Sequence, residues 1–96
     1  MPESADDREV QRAEQGAEEQ RSNDDEARRL RRLQIMMSMV MSVMSQDPDL
    51  TVEEAAEMAA NARRAALNLF PDKELAYDLI YRPRLQRLMN ERFRLQ

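Results

Sequence analysis

Carboxylates are the side chains in this sequence that could most directly do chemistry, because several of them recur at helical spacing. Glu53, Glu54 and Glu57 share one face of a predicted helix. Glu74 and Asp78 lie one turn apart on another. Paired carboxylates can hold metal ions between helices, but such sites also use a histidine one turn from a glutamate. The sequence contains no histidine, so we interpret these carboxylates as solvated helix charges.

The residue types that are missing exclude most other site chemistry. Without histidine the chain lacks the commonest general base and the commonest transition-metal ligand. Without cysteine it has neither disulfides nor thiolate ligands. Its only glycine, Gly16, lies near the N-terminus, so the sequence contains no glycine-rich phosphate loop and no nucleophile elbow. We therefore expect a protein that is not an enzyme and that has no cofactor and no metal.

An arginine pair in the middle of the chain carries one family resemblance. The stretch LTVEEAAEMAANARRAALNLF, residues 50–70, resembles the opening of excisionase-type helix-turn-helix domains. The likeness lies in the Leu-Thr-Val before Glu-Glu-Ala-Ala and in the Arg-Arg pair. It implies a turn at Ala60, a recognition-helix cap at Ala62, and a DNA-facing start at Arg63 and Arg64. A small DNA-binding regulator is therefore the alternative function.

The C-terminal segment is basic, with five arginines against one glutamate in residues 82–96. Arginines beside aromatic rings can bind phosphates and stack on bases. They can equally pair with the acidic residues of a chain whose net charge is −4. The candidate ion-pair or nucleic-acid contacts are Arg63, Arg64, Arg82, Arg84 and Arg87.

The position of Arg63 is unusual for a charged residue. If the helix around it is continuous at Ala60–Asn61, which the sequence does not decide, Arg63 projects from an alanine-rich face. Its long stem can snorkel to solvent, or its guanidinium can pair with a carboxylate of another helix or subunit. The sequence leaves both interpretations open.

The elements that must position these residues are predicted to be helical. After Met1, residues 1–22 contain one large apolar side chain, Val10, and they are strongly acidic, so we expect disorder or transient helix there. Residues 23–96 form the predicted helical domain. Its helices are predicted at about 24–45, 52–69, 72–81 and 84–95.

Caps and prolines set these boundaries. Asn23 with Glu26, and Thr51 with Glu54, form capping-box patterns. Prolines follow the first helix, open the third and interrupt the last segment at Pro83. The predicted fold class is all-α, a three- to four-helix bundle that is broken or kinked at Pro83 between helices three and four, with a disordered acidic N-terminal tail.

The first predicted helix carries the methionine-rich stretch LQIMMSMVMSVMS, residues 33–45. Its apolar residues cover most of the helix circumference and leave only a narrow stripe of serine and glutamine, so the helix must pack on more than one side. Methionine suits both an irregular core and an adaptable binding surface. Whether this helix is intramolecular core or interface is left open. The predicted interaction face is Leu33, Met36, Met37, Met39, Val40, Met41, Val43 and Met44.

The last two predicted helices are amphipathic. Leu75, Ala76, Leu79 and Ile80 form one apolar face, and residues 85–93 supply the next. Glu74, Asp78 and Arg82 are spaced as a salt-bridge ladder along the helix surface. About 70 ordered residues with few aromatics make a marginal monomer, so an oligomer is expected.

Together these features predict a small helical protein–protein interaction module, structural or regulatory, that self-associates through the methionine-rich helix. A homo-oligomer or a partner protein is the expected assembly, with nucleic acid as the less favoured partner. The apolar stretch is too short for the roughly 20 residues of a membrane-spanning helix. We expect a cytoplasmic protein. Association with a membrane surface is a lesser option.

Overall fold

The computed structural model describes the backbone of residues 3–94 and the side chains of residues 9–94. Three helices make up this part of the chain: α1 (Glu3–Gln46), α2 (Val52–Leu69) and α3 (Glu74–Phe93). The protein is all-helical, as predicted, and residues 3–94 contain no strand. By compactness the chain divides within α1, after Leu30, into an N-terminal and a C-terminal unit.

The N-terminal unit is helical from Glu3, and each of its described side chains is exposed. The predicted disordered tail over residues 1–22 is therefore not confirmed where the structure describes it, and residues 1 and 2 lie outside that part. Glutamate, glutamine, alanine and arginine dominate this segment, and all four favour helix over coil. Gln20 also donates a hydrogen bond to Asp24 one turn later, at 3.1 Å. Asn23, the predicted N-cap, consequently lies inside α1.

The connection from α1 to α2 follows the predicted signals. Helix α1 ends at Gln46, just before Asp47-Pro48, because a residue preceding proline is pushed out of the helical region. Thr51 then caps α2: its hydroxyl oxygen accepts the backbone N–H of Glu54 at 3.1 Å. The Glu54 carboxylate in turn accepts the backbone N–H of Thr51 at 3.4 Å. The capping box predicted at this position is confirmed.

Helix α2 is continuous from Val52 to Leu69. The turn that the family resemblance implies at Ala60 is therefore absent, and Ala62, the implied cap of a second helix, is buried inside α2. Alanine is the strongest helix former and a poor cap, so alanines at both positions favour continuing the helix. Residues 50–70 do not form a helix-turn-helix.

Helix α3 runs without a break through Pro83, from Glu74 to Phe93. The predicted division into helices 72–81 and 84–95 was therefore wrong. Proline removes one backbone hydrogen bond, the one its N–H would give to the carbonyl of Leu79. Leu79 lies on the solvent side of α3, where water can satisfy that carbonyl. On the opposite face of α3, the burial of both Tyr77 and Leu85 on one helix offsets the lost hydrogen bond.

The core lies in the C-terminal unit and draws on all three helices. Its large members come from α1, from the turn after it, and from α3, while α2 contributes alanines that let its neighbours approach closely. The buried residues are Leu33, Met37, Met44, Leu50, Ala55, Ala62, Ala66, Tyr77 and Leu85.

Arg92, near the end of α3, links that helix to the C-terminal end of α1. Its guanidinium donates hydrogen bonds to the backbone carbonyls of Met44, at 3.2 Å, and of Asp47. The last carbonyls of a helix have no partners within the helix, and they carry the negative end of its dipole. Arg92 therefore caps the C-terminus of α1 from a distant part of the chain.

Candidate functional site

An ion pair between α2 and α3 accounts for the position of Arg63. Its Nε and Nη2 atoms donate to the two carboxylate oxygens of Asp78 at 3.0 and 3.1 Å. Nη2 also donates to Glu74 at 2.6 Å. Asp78 and Glu74 are one turn apart on α3, so a single guanidinium on the facing helix reaches both. In the structure Glu74 and Asp78 both contact Arg63, whereas the sequence predicted a salt-bridge ladder of these two acids with Arg82.

This ion pair sets the titration of the groups around it. The hydrogen bond from Arg63 lowers the pKa of Asp78 below its usual value of 3.8, against a smaller opposing effect of burial. The hydrogen bonds that Arg63 donates to Asp78 and then to Glu74 raise the pKa of Arg63. Burial raises the pKa of Tyr77, the residue before Asp78 on α3. The Tyr77 hydroxyl has no hydrogen-bond partner among the described residues.

The lowered pKa of Asp78 predicts a specific loss of stability in acid. A depressed folded-state pKa contributes stability above the unfolded-state pKa, and that contribution disappears as pH falls through the folded-state value. The free energy of unfolding of the wild type should therefore exceed that of Asp78→Asn by a constant amount above about pH 5. The difference should shrink as the pH falls below 3.8. Urea unfolding across pH 2–7 tests this, and a difference that stays constant to pH 2 would contradict it.

The methionine-rich part of α1 is largely used inside the chain. Three members of the predicted interaction face, Leu33, Met37 and Met44, are buried in the core and cannot contact a partner. Four more are half-buried and pack against that core: Met36, Val40, Met41 and Val43. Only Met39 is exposed, at 64%. Of the two interpretations left open by the sequence, intramolecular core therefore describes Leu33, Met37 and Met44, and these three residues do not form an exposed face with the other five.

A contiguous apolar surface is instead exposed on α3. Leu75, Leu79 and Ile80 are 73%, 68% and 49% exposed, respectively. They lie within two turns on one side of the helix, and we call them the outer face of α3. The sequence showed this apolar face, but the structure leaves it in solvent.

The continuity of α3 explains why this face is exposed. At 100° per residue the outer face points about 180° away from the buried side chains of Tyr77 and Leu85. Two helices separated at Pro83 could each turn an apolar face inward, whereas one helix can bury only one of the two. The ion pair of Asp78 with Arg63 fixes the same rotation, because Asp78 lies on the side of Leu85.

Two open grooves flank α2 in the C-terminal unit. One, of about 480 Å³, lies between α1 and α2 and is lined by Met36, Val40 and Met58 with Glu54 and Glu57. The other, of about 430 Å³, lies between α2 and α3, where alanines meet Leu85 and Met89 beside Arg63 and Arg82. Glu54 serves the α2 cap and Arg63 serves its ion pair, so these two charged side chains are already engaged within the chain.

The other candidate arginines are spread over the surface. Arg64 lies exposed on α2, and Arg82, Arg84 and Arg87 lie exposed on α3. Arg84 is 5.9 Å from the centre of the Tyr81 ring, a cation–π contact within the chain. Arg63, the residue best placed by the family resemblance, faces two carboxylates. The structure therefore does not bring the five arginines together as one phosphate-binding surface.

The described part of the chain shows no other kind of site. Among residues 9–94, whose side chains the structure describes, no group of three or more acidic, histidine or cysteine side chains is arranged to hold a metal ion. None of the three helices there has both the length and the apolar character to cross a bilayer.

Comparison with known proteins gave no match, since no protein-family model, no curated protein and no solved structure is similar to this chain.

Proposed function

We propose that this protein is a small helical protein–protein interaction module, structural or regulatory in role and without catalytic activity, that associates with itself. In this proposal the C-terminal unit is a three-helix bundle, and the association surface is the outer face of α3. The observation that carries the proposal is the exposure of Leu75, Leu79 and Ile80 together on one side of one helix.

A cluster of exposed apolar side chains indicates an interaction surface more strongly than a single exposed side chain does. An isolated exposed leucine is ordinary, but a contiguous apolar patch on a small protein marks an interaction surface. Burying a leucine or isoleucine completely is worth about 1.5–3 kcal/mol. The three side chains of the outer face are each half to three-quarters exposed, so a covering partner gains roughly 1–2 kcal/mol from each.

The core of the C-terminal unit gives a second reason for association. Three of its nine buried residues are alanines, which bury little area. Helical units of this size are commonly supplemented by disulfides, metals or oligomerisation. The sequence contains no cysteine, and the described residues offer no metal cluster. Oligomerisation is the remaining source of stability that this chain has the surface to use.

The two other surfaces have less support. The central face of the methionine-rich helix packs in the core. Beyond Leu30, the large exposed apolar residues of α1 are Ile35 and Met39. DNA binding through residues 50–70 would need the turn that α2 lacks. It would also need Arg63 to leave its ion pair with Glu74 and Asp78.

The test is the absolute mass of the full chain by light scattering at increasing concentration. We expect the mass to rise from one chain of 11.3 kDa toward two between about 10 μM and about 1 mM, the range for marginal interfaces. Leu79→Ser should shift this transition to higher concentration. Met39→Ser is the matched control, because Met39 and Leu79 are 64% and 68% exposed. A mass of one chain at all concentrations would contradict self-association.

A further inference from the structure

We propose that the surface covering the outer face of α3 is the outer face of a second copy, packed antiparallel about a two-fold axis between Leu79 and Ile80. This inference rests on the proposed function and specifies its geometry. A two-fold interface is isologous, so each residue that contacts a position on the partner is itself contacted by that position. The same patch must therefore be complementary to itself.

Leu79 and Ile80, two of the three residues of the outer face, meet that requirement, while Leu75 lies at the edge of the contact. With the axis between Leu79 and Ile80, each of these two residues packs against the other one in the second copy. Ala76 and Pro83 are equally far from the axis, so they also meet across it. All four lie on the side of α3 that turns away from Tyr77 and Leu85. Small Ala76 and the flat ring of Pro83 let the two helices approach closely on both sides of the larger pair.

The charges at the two ends decide the orientation. Asp72, in the turn directly before α3, and Arg87, on its fourth turn, are both exposed. Arg87 lies seven to eight positions after the axis, about 11 Å along the helix. Asp72 lies the same number of positions before the axis, in the turn that leads into α3. An antiparallel dimer therefore brings Asp72 of each copy beside Arg87 of the other, and forms this pair twice. A parallel dimer would place aspartate beside aspartate and arginine beside arginine.

The exposed apolar residues of α1 lack this complementarity. Ile35 and Met39 follow Arg31 and Arg32, and residues 27–46 of α1 contain four arginines and no carboxylate. No carboxylate of this segment can pair with these arginines across a homodimer on that side, so such a dimer gains no charge complementarity. The second copy is therefore better accommodated on α3 than on α1.

The experiment is a charge swap, with dimer dissociation constants measured by analytical ultracentrifugation on the full chain at about 50 mM salt, where screening is weak. Arg87→Glu and Asp72→Arg should each weaken the dimer about three- to tenfold, because each replaces two attractive contacts by two repulsive ones. The double variant D72R/R87E should return to within about twofold of the wild type, since reversed pairs form again across the axis. Both positions are exposed, and thermal unfolding of each variant checks that the fold is retained.

Three outcomes would overturn the proposal. A dimer that neither single change weakens does not use this face. A dimer weakened by both single changes but not restored by the double variant has a different orientation. Either result leaves self-association itself standing. A wild-type chain that stays monomeric throughout removes the second copy as the occupant, together with the proposed self-association, and leaves the outer face to a different protein or to an anionic membrane.

Discussion

Met44→Ala is expected to lower the free energy of unfolding by about 2–4 kcal/mol, whereas Met39→Ala should change it by less than about 0.5 kcal/mol. Met44 is completely buried and Met39 is 64% exposed, although they stand five residues apart in the same methionine-rich stretch. Removing a buried side chain costs its transfer free energy and leaves a cavity. Urea unfolding followed by circular dichroism measures both values.

Each variant is the other's control, because the gain in helix propensity from methionine to alanine is the same at both positions. The difference between the two therefore reports burial alone. Equal effects would mean that α1 does not turn Met44 toward α2 and α3. A large effect at Met39 alone would mean that the opposite side of the helix is the one in contact.

Ala60→Pro is expected to lower the free energy of unfolding by about 3 kcal/mol, and Ala60→Gly by about 1 kcal/mol. Ala60 lies in the middle of the continuous helix α2, and its side chain is exposed, so neither change disturbs the core. Proline at this position removes a helical hydrogen bond and clashes with the preceding turn. Chemical denaturation of the two variants beside the wild type gives both values.

The same pair of variants separates a continuous helix from a helix-turn-helix. At a turn that requires a positive φ, glycine would be neutral or stabilising. A stability gain for Ala60→Gly would therefore contradict the continuity of α2 and restore support for the DNA-binding alternative. The ratio of the two losses in unfolding free energy, for Ala60→Pro and for Ala60→Gly, is a stronger test than either loss alone. The helix propensities of proline and glycine differ by a known amount.

Local signals in the sequence predicted part of the fold. The end of α1 before Pro48 and the capping box of Thr51 with Glu54 are encoded by adjacent residues, so they could be read without tertiary information. The continuation of α3 through Pro83 could not be predicted from adjacent residues. The cost of proline in a helix is local, but what offsets it is the burial of Tyr77 and Leu85 on one continuous face. That gain depends on helices that lie elsewhere in the chain.

The candidate site shows the same limit. Periodicity placed Arg63 on the alanine-rich face of α2, but its partners belong to α3 and are set by how the two helices pack. The spacing of Glu74 and Asp78, one turn apart on the following helix, was the available signal for a shared cation. The outer face of α3 was missed for a different reason. Its exposure is visible in a helical projection only when residues 74–93 are treated as a single helix.

The continuity of α3 through Pro83 accounts for which of its side chains are exposed and which face the rest of the C-terminal unit. A helix that cannot divide at Pro83 keeps Leu75, Leu79 and Ile80 in solvent while Asp78 and Leu85 face inward. Of the methionines of α1, Met37 and Met44 are buried in the chain's own core, while Met39 is exposed. Composition alone therefore did not show which helix leaves a cluster of large apolar side chains in solvent, whereas the rotation of α3 shows it.

The most direct test of self-association through α3 compares the light-scattering mass of the wild-type chain with that of Leu79→Ser at one concentration near the top of the accessible range. We predict a mass approaching two chains for the wild type and one chain, 11.3 kDa, for the variant. Equal masses for the two proteins, whether one chain or two, would contradict the assignment of the outer face of α3 as the association surface.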